Sequence, residues 1–389
     1  MSGATERLIA GAIALAEGAA AADFRGPDPY DGLSWGWPSA FVGGRRRRQA
    51  LIQLHARSPV DLRRLYRRRH PLIPKALGIF ASVGTRAHRL TGDESQLRLA
   101  LGAAELLSAD RMAGARGWGY PWDVQTRWSF YPAGSPNVVV TAFGAVGLLE
   151  AATRAGRPDL IGRAREAALW VLHELWVEPD GYFAYHPGRP TNIHNANLLG
   201  AWLVHIAAAD DPIAAPRVAR AVERTLTAQR LDGSWPYGEG RNLSWADSFH
   251  TGFVLSCLDR LGRVDPSIDE AVARGAAHYR GFFDVEGRAQ LWANKQYPED
   301  AHSAGTGLTT LSLLLRRGLV ERDLLERVAQ RVLVSGIRHE HAVHRRYRYG
   351  RTAVRYLRWC DAHVALGLVD AVAALRGEPD LALASPAGA

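Results

Sequence analysis

The sequence predicts an all-α chain folded as a single (α/α)6 toroid, six inner helices ringed by six outer ones. Three observations predict it. Strand-period alternation is almost absent. Nearly all-apolar helical runs recur roughly every 50–65 residues, each preceded by an irregular stretch rich in Gly and aromatics. An amphipathic run with Arg and Glu on one face accompanies each apolar one. Helices that are apolar all round must be buried, and amphipathic ones must cover them.

The elements follow in order. Residues 4–20 place Leu8, Ile9, Ala12, Ile13 and Ala16 on one helical face, with Glu6 and Glu17 at the flanks. That pattern reads as an outer helix, not as a signal peptide. The apolar runs begin near Pro74, Asn137, Asn195, Phe249, His302 and Trp359. Five amphipathic runs lie near 94–109, 158–176, 213–229, 266–283 and 320–334. The N-terminal helix is the sixth outer helix, expected beside the last apolar one so that the ring closes. The toroid is expected over 1–376, with a flexible C-terminal tail at 377–389. In such a ring the loops entering the inner helices gather at one end. The helix N-termini there turn unpaired N–H groups and positive dipole ends toward a central cleft.

Composition fits a chain with a large core: 47% hydrophobic and 22% charged over 389 residues. No apolar run approaches the ~20 residues that span a bilayer, so no membrane segment is expected. Two cysteines, Cys257 and Cys360, form no disulfide framework or metal spacing, which fits a reducing, cytoplasmic setting. The net charge of +9 comes largely from arginine, including runs at 45–48 and 67–69. We read it as a solvated Arg-rich surface, because no nucleic-acid-binding signature accompanies it. Gly-rich phosphate loops and metal-ligand spacings are absent too, so neither cofactor nor metal is expected. Only two of 48 basic residues are lysines, Lys75 and Lys295, and both fall near predicted loop–helix junctions. Lysine is not equivalent to arginine as a titratable amine, which makes both candidates for a site.

The stretch SWADSFHTGF (244–253) puts Asp247 and His250 at the mouth of a core helix. Asp300 with His302, and Asp361 with His363, repeat the theme at two other helix mouths. Such pairs can be general acid/base machinery, or Asp can cap the helix while His bonds a nearby carbonyl. The catalytic candidates are Asp247, His250, His302 and Asp300, with Tyr131 and Asp123. The loops GWGYPWD (117–123), DGYFAYH (180–186) and DGSWPYG (232–238) alternate Gly with aromatics, which suits stacking platforms for sugar rings or plugs over the barrel. The substrate-binding candidates are therefore Trp118, Trp122, Arg127, Tyr185, Asn195, Asn197, Trp235, Tyr237, Trp245, Lys75, Lys295 and Tyr297.

The segments DPYDGLSW (28–35), SPVDLR (58–63), PKALGIF, GWGYPWDVQTRW (117–128), NVVVTAF (137–143), TNIHNANLLGA (191–201), DGSWPYGE (232–239), WADSFHTGF and YPEDAHSA (297–304) resemble a bacterial family of toroid proteins encoded beside polysaccharide-biosynthesis machinery. The resemblance covers nearly the whole chain and implies a role in making or modifying a glycan. More distantly, the ring resembles that of sugar epimerases, unsaturated uronyl hydrolases and glucuronyl C5-epimerases, the last through RWCDAH (358–363). The Arg-rich segment 63–69 departs from the first family's pattern and bears on substrate charge.

The expectation drawn from this is a carbohydrate-active enzyme with a glycan or sugar substrate, leaning to epimerase-type proton transfer at a sugar ring, with a uronosyl residue in view. Arg127 or Lys295 would bind its carboxylate, and two of Tyr131, His250 and His302 would move the proton. A glycoside hydrolase would need a carboxylate pair from Asp123, Asp247 and Asp300. A third reading is a non-catalytic glycan-binding subunit. An isoprenoid cyclase is a fourth; QRLDGSW (229–235) matches the repeat of triterpene cyclases once, but their D-x-D-D acid motif is missing.

Overall fold

A computed structural model describes residues 3–34, 42–58, 60–65, 70–109, 116–126, 129–262, 264–293 and 295–383. The chain begins with α1 (Gly3–Ala20), followed by α2 (Arg45–Arg57). Alternation then sets in: α3 (Pro74–Thr91), α4 (Glu94–Ala109), α5 (Val138–Ala155), α6 (Pro158–Glu174), α7 (His194–Ala207) and α8 (Ala214–Thr227). It continues through α9 (Ser248–Arg260), α10 (Ile268–Tyr279), α11 (Ala301–Arg316), α12 (Arg322–Arg331) and α13 (Ala362–Leu375).

The odd-numbered helices from α3 to α13 pack each against the next, and α13 packs back on α3. That closes an inner ring of six. The N-terminal α1 lies against α13, α3 and α4, filling the sixth outer position as the sequence predicts. Burial separates the two sets. All but one of the residues from Val138 to Ala152 in α5 are buried, as is every residue of α13. The outer α8 buries only one face. Among the described residues, strands are two or three residues long and form three two-stranded ladders and one three-stranded one in the loops.

The inner ring is tight where glycines meet. A Cβ on Gly147 of α5 would fall on the carbonyl oxygen of Gly78 in α3, and one on Gly367 of α13 would crowd the carbonyl of Gly305 in α11. Short hairpin links sit at the opposite end from the long loops. Gly92 and Gly156 end α3 and α5 with left-handed φ of 73° and 66°, a conformation that costs glycine least.

Three features add to the sequence reading. The run at 45–48 opens a helix, α2, that belongs to neither ring. By length and composition α5 is apolar enough to cross a membrane, yet it lies buried among α3, α4, α6 and α7. The tail expected to be flexible from 377 is seated across the closed end of the ring as far as 383. Arg89 and Trp202 donate to the carbonyls of Leu381 and Leu383, Arg260 pairs with Asp380, and Leu381 and Ala382 are buried.

That closed end also buries charge. Arg86 of α3 holds Glu150 of α5 and Asp370 of α13, both at 2.7 Å, and Thr309 of α11 donates to Asp370. Both acids are needed there, since a buried ion without a partner costs several kcal/mol. The two cysteines are free and buried, and burial pushes the Cys257 thiol up to about 12.

Candidate active site

The mouth is built by helix starts. Asn137, Asp247 and Asp300 each cap an inner helix, accepting from the backbone N–H three residues on. The three acid–His pairs then part ways. A residue three positions after the cap returns to the same face of the helix, whereas one two positions on points away. His250 therefore folds back, and its Nδ1 lies 2.8 and 3.0 Å from the two Asp247 oxygens. Asp300 does not pair with His302; it takes Arg345 at 3.0 Å instead. Asp361 does not pair with His363; it binds Arg355 at 2.6 Å and the Ala342 N–H.

The hydrogen bonds fix two tautomers. A carboxylate only accepts, so His250 carries its proton on Nδ1 and leaves Nε2 with a free lone pair. The Nδ1 of His302 donates to the Trp359 carbonyl at 2.9 Å, so its Nε2 is a base as well. His302 packs on His363 with ring centroids 4.1 Å apart and on Trp359 at 4.4 Å. Burial above all, then Lys75 for His302 and His302 for His363, holds the two imidazoles well below the ordinary histidine range.

Below the histidines lies Lys75, only 3% exposed, its ammonium 4.3 Å from the Phe143 ring centre and 5.6 Å from Phe253. No carboxylate pairs with it among the described residues. Burial, and then Arg358, push its amine well below the usual lysine range. Arg358 is held by Asp28 at 2.5 and 2.8 Å and lies 5.0 Å over both Tyr120 and Trp359. Next to it Arg63 binds Asp31. The two acids of DPYDGLSW thus anchor arginines from distant parts of the chain.

One wall is aromatic. Tyr237 stacks on Trp245 at 4.3 Å and 11°, Trp292 meets Trp245 edge-on, and His250 lies 4.5 Å from Tyr237. A cavity of about 10 Å³, the size of one water, lies between Asn195, Tyr237, Asp247 and His250. Tyr131 lies 5.9 Å from Tyr185 and 5.0 Å from His186. Asn195 Oδ1, Trp122 Nε1, Trp359 Nε1 and His363 Nε2 are buried at this end without a partner. Buried polar groups are normally satisfied, so unsatisfied ones converging on a mouth suit a ligand.

The structure brings Lys75, Tyr131, Tyr185, Asn195, Tyr237, Trp245, Asp247, His250, Asp300 and His302 to this end. It assigns others elsewhere. Trp118, Trp122 and Trp235, expected as platforms, are each only 2% exposed. Trp118 and Trp235 donate to the carbonyls of Leu107 and Thr225 and so fasten outer helices. A ring buried on both faces has none left for a sugar. Asn197 spends its amide on Phe183, Ala221 and Thr225. Asp123 accepts from the Ala133 N–H in its own loop. Lys295 is exposed and Tyr297 half-buried, beyond Trp292 at the rim. Arg127 lies outside the described residues.

Asp28, Arg358 and Trp359 are absent from the sequence-derived candidates. Asp28 and Arg358 are 330 positions apart, and only the resemblance of their two segments to known families marked them.

No known family model matches the chain, and no curated protein matches it. Solved structures do. A cellobiose 2-epimerase from Bacillus thermoamylovorans superposes with a TM-score of 0.62 at 12% identity, over 77% of this chain and 87% of that one. An unsaturated glucuronyl hydrolase from Bacillus sp. GL1 gives 0.66 at 13%, over 99% and 100%. A sugar epimerase from a ruminal bacterium gives 0.60 at 11%, over 79% and 88%. The chain has the toroid fold of these proteins.

Proposed function

We propose that this chain is a carbohydrate-active enzyme that epimerises a sugar residue of a glycan by histidine-mediated proton transfer. One observation carries the reading. At the mouth, His250 and His302 each present an Nε2 lone pair, while the carboxylates beside them are all engaged. Asp247, Asp300, Asp361 and Asp28 are committed to His250, Arg345, Arg355 and Arg358. Hydrolysis needs one carboxyl group free to protonate a leaving group and a second free to act as base or nucleophile. Proton transfer at carbon needs a base with an available lone pair, and an Asp–His pair held through Nδ1 directs one from Nε2. In this scheme His250 removes the ring proton at Nε2 and Asp247 stabilises the imidazolium. On the other face His302 takes a proton from solvent at Nε2 and passes it to the carbanion, while the His250 imidazolium gives its proton back to solvent.

A uronosyl residue suits the floor. Lys75 is a buried amine beside Arg358 with no acid of its own. A substrate carboxylate would supply that acid and draw a proton onto the amine as it binds. The resemblance to glucuronyl C5-epimerases at RWCDAH supports the same substrate class.

The test is proton NMR in D2O with neutral and uronate-containing oligosaccharides. Deuterium entering a carbon-bound ring position, abolished in His250→Gln, is the expected result. New reducing ends with no deuterium at carbon would overturn the epimerase reading in favour of hydrolysis.

A further inference from the structure

Several surface arginines of this chain are matched by acids. Arg157 pairs with Glu105 and Asp159, Arg220 with Glu178, Arg224 with Glu239, and Arg322 with Glu326. One basic stretch near the cleft is almost free of acids. Residues 337–351 hold five arginines and a single acid, Glu340. Among the described ion pairs, Arg338, Arg346, Arg348 and Arg351 form none.

The region rises from the rim of the cleft. Strand Arg345–Tyr347 pairs with Glu299–Asp300, directly before the capped start of α11, and then with Gly350–Arg351. Arg345 binds Asp300 at the mouth. Beyond it the hairpin leaves the body of the protein. Tyr347 is 46% and Tyr349 85% exposed, and Arg348 and Arg351 are exposed beside them.

Two features are costly for the fold alone. Arg346 stands directly across the ladder from Arg351, and like charges so placed destabilise a hairpin. The acid on the other side of Arg346, Glu299, is already claimed by Arg331 at 2.5 Å. Arg348 and Tyr349 form the two-residue tip, where Gly, Asn or Asp is the usual choice. A tyrosine 85% exposed gains nothing from the core.

We propose that the hairpin 345–351 is a binding arm for a polyanionic glycan, holding the part of the chain that lies outside the cleft. The proposal rests on the glycan reading above. Carboxylates along the chain would screen Arg346 from Arg351 and pair with Arg348 and Arg338. Tyr347, and the face of Tyr349 not covered by the Arg348 guanidinium 5.3 Å away, offer apolar surface to sugar rings, which a simple ion-exchange surface would not need.

The experiment compares the full chain with R348S/Y349S/R351S, whose altered side chains are all exposed, so that the fold is spared. Fluorescence anisotropy measures binding of a labelled polyuronate, a uronate disaccharide, a neutral glucan and single-stranded DNA between about 50 and 200 mM salt. We expect polyuronate to bind with an affinity that falls as salt rises, since condensed counterions are released on binding. The variant should lose about ten-fold or more of that affinity, with a shallower salt slope, while its disaccharide affinity stays unchanged. Equal polyuronate affinity in the two proteins overturns the arm. Tighter, arm-dependent binding of DNA than of polyuronate overturns it in favour of a nucleic-acid surface. If polyuronate binding depends on the arm while neither protein binds or turns over the disaccharide, the arm stands and the epimerase reading falls.

Discussion

Gly305 of α11 lies against the backbone of His363 at the start of α13, so close that a Cβ on the glycine would overlap the histidine's carbonyl carbon. That approach brings the His302 and His363 rings to 4.1 Å. Gly305→Ala must push the two helices apart. We expect a loss of about 1–3 kcal/mol from overpacking and a fall in activity beyond what the lost stability explains. Gly102→Ala on α4, where a Cβ meets nothing within 4 Å, is the control and should stabilise by up to ~1 kcal/mol. Denaturant unfolding of both variants decides. Equal effects would mean the close approach carries no strain.

Asp247 has two tasks, capping α9 and orienting His250. Asparagine caps as well as aspartate does, but it cannot stabilise an imidazolium. Asp247→Asn should therefore leave stability within a few tenths of a kcal/mol while activity falls by about 10²- to 10⁴-fold. A full loss of folding, or retained turnover, would refute the second task.

Lys75→Met keeps the stem and removes the amine. A buried amine without an acid partner is a cost to the fold, so the variant should unfold at higher denaturant than the parent. Its uronate binding should disappear. Greater stability together with lost binding would mark Lys75 as held for function, at the expense of the fold. Retained uronate affinity would remove it from the site.

Two histidines away from the proposed reaction contribute to acid stability. Burial lowers His194 and His344 from 6.5 to about 4. Their neutral forms fold best, and the unfolded chain takes up protons first as pH falls. Stability is therefore full above about pH 6.5 and declines toward pH 4, by up to ~1.4 kcal/mol per pH unit for each histidine. His194→Gln should flatten that decline by one histidine's worth. Unfolding free energies measured across the window check it, and an unchanged slope would rule His194 out.

Much of this architecture is legible in the order of residues. Hydrophobic period is a local property, and it is enough to separate α5 and α13, apolar all round, from α8, apolar on one face. The alternation of the two kinds, repeated six times, leaves a ring as the arrangement that buries one set under the other. The caps at Asn137, Asp247 and Asp300 are equally local, because a cap reaches only three residues along its own chain.

The site is less so, for a physical reason. Which partner satisfies a side chain depends on what another helix brings near it. Asp247, Asp300 and Asp361 all stand beside a histidine in sequence, yet only Asp247 binds its own, since a three-residue step keeps one face and a two-residue step does not. The tryptophans of the Gly-rich loops look alike in sequence, but Trp245 faces the mouth while Trp118 and Trp235 are bolted to outer helices. By itself the sequence determined the ring, the helix caps and the end at which the chemistry gathers, all fixed by local periodicity. Tertiary structure alone decided that Asp28 holds Arg358, that Lys75 has no acid, and that His302 meets His363, because each depends on contacts between residues far apart in the chain.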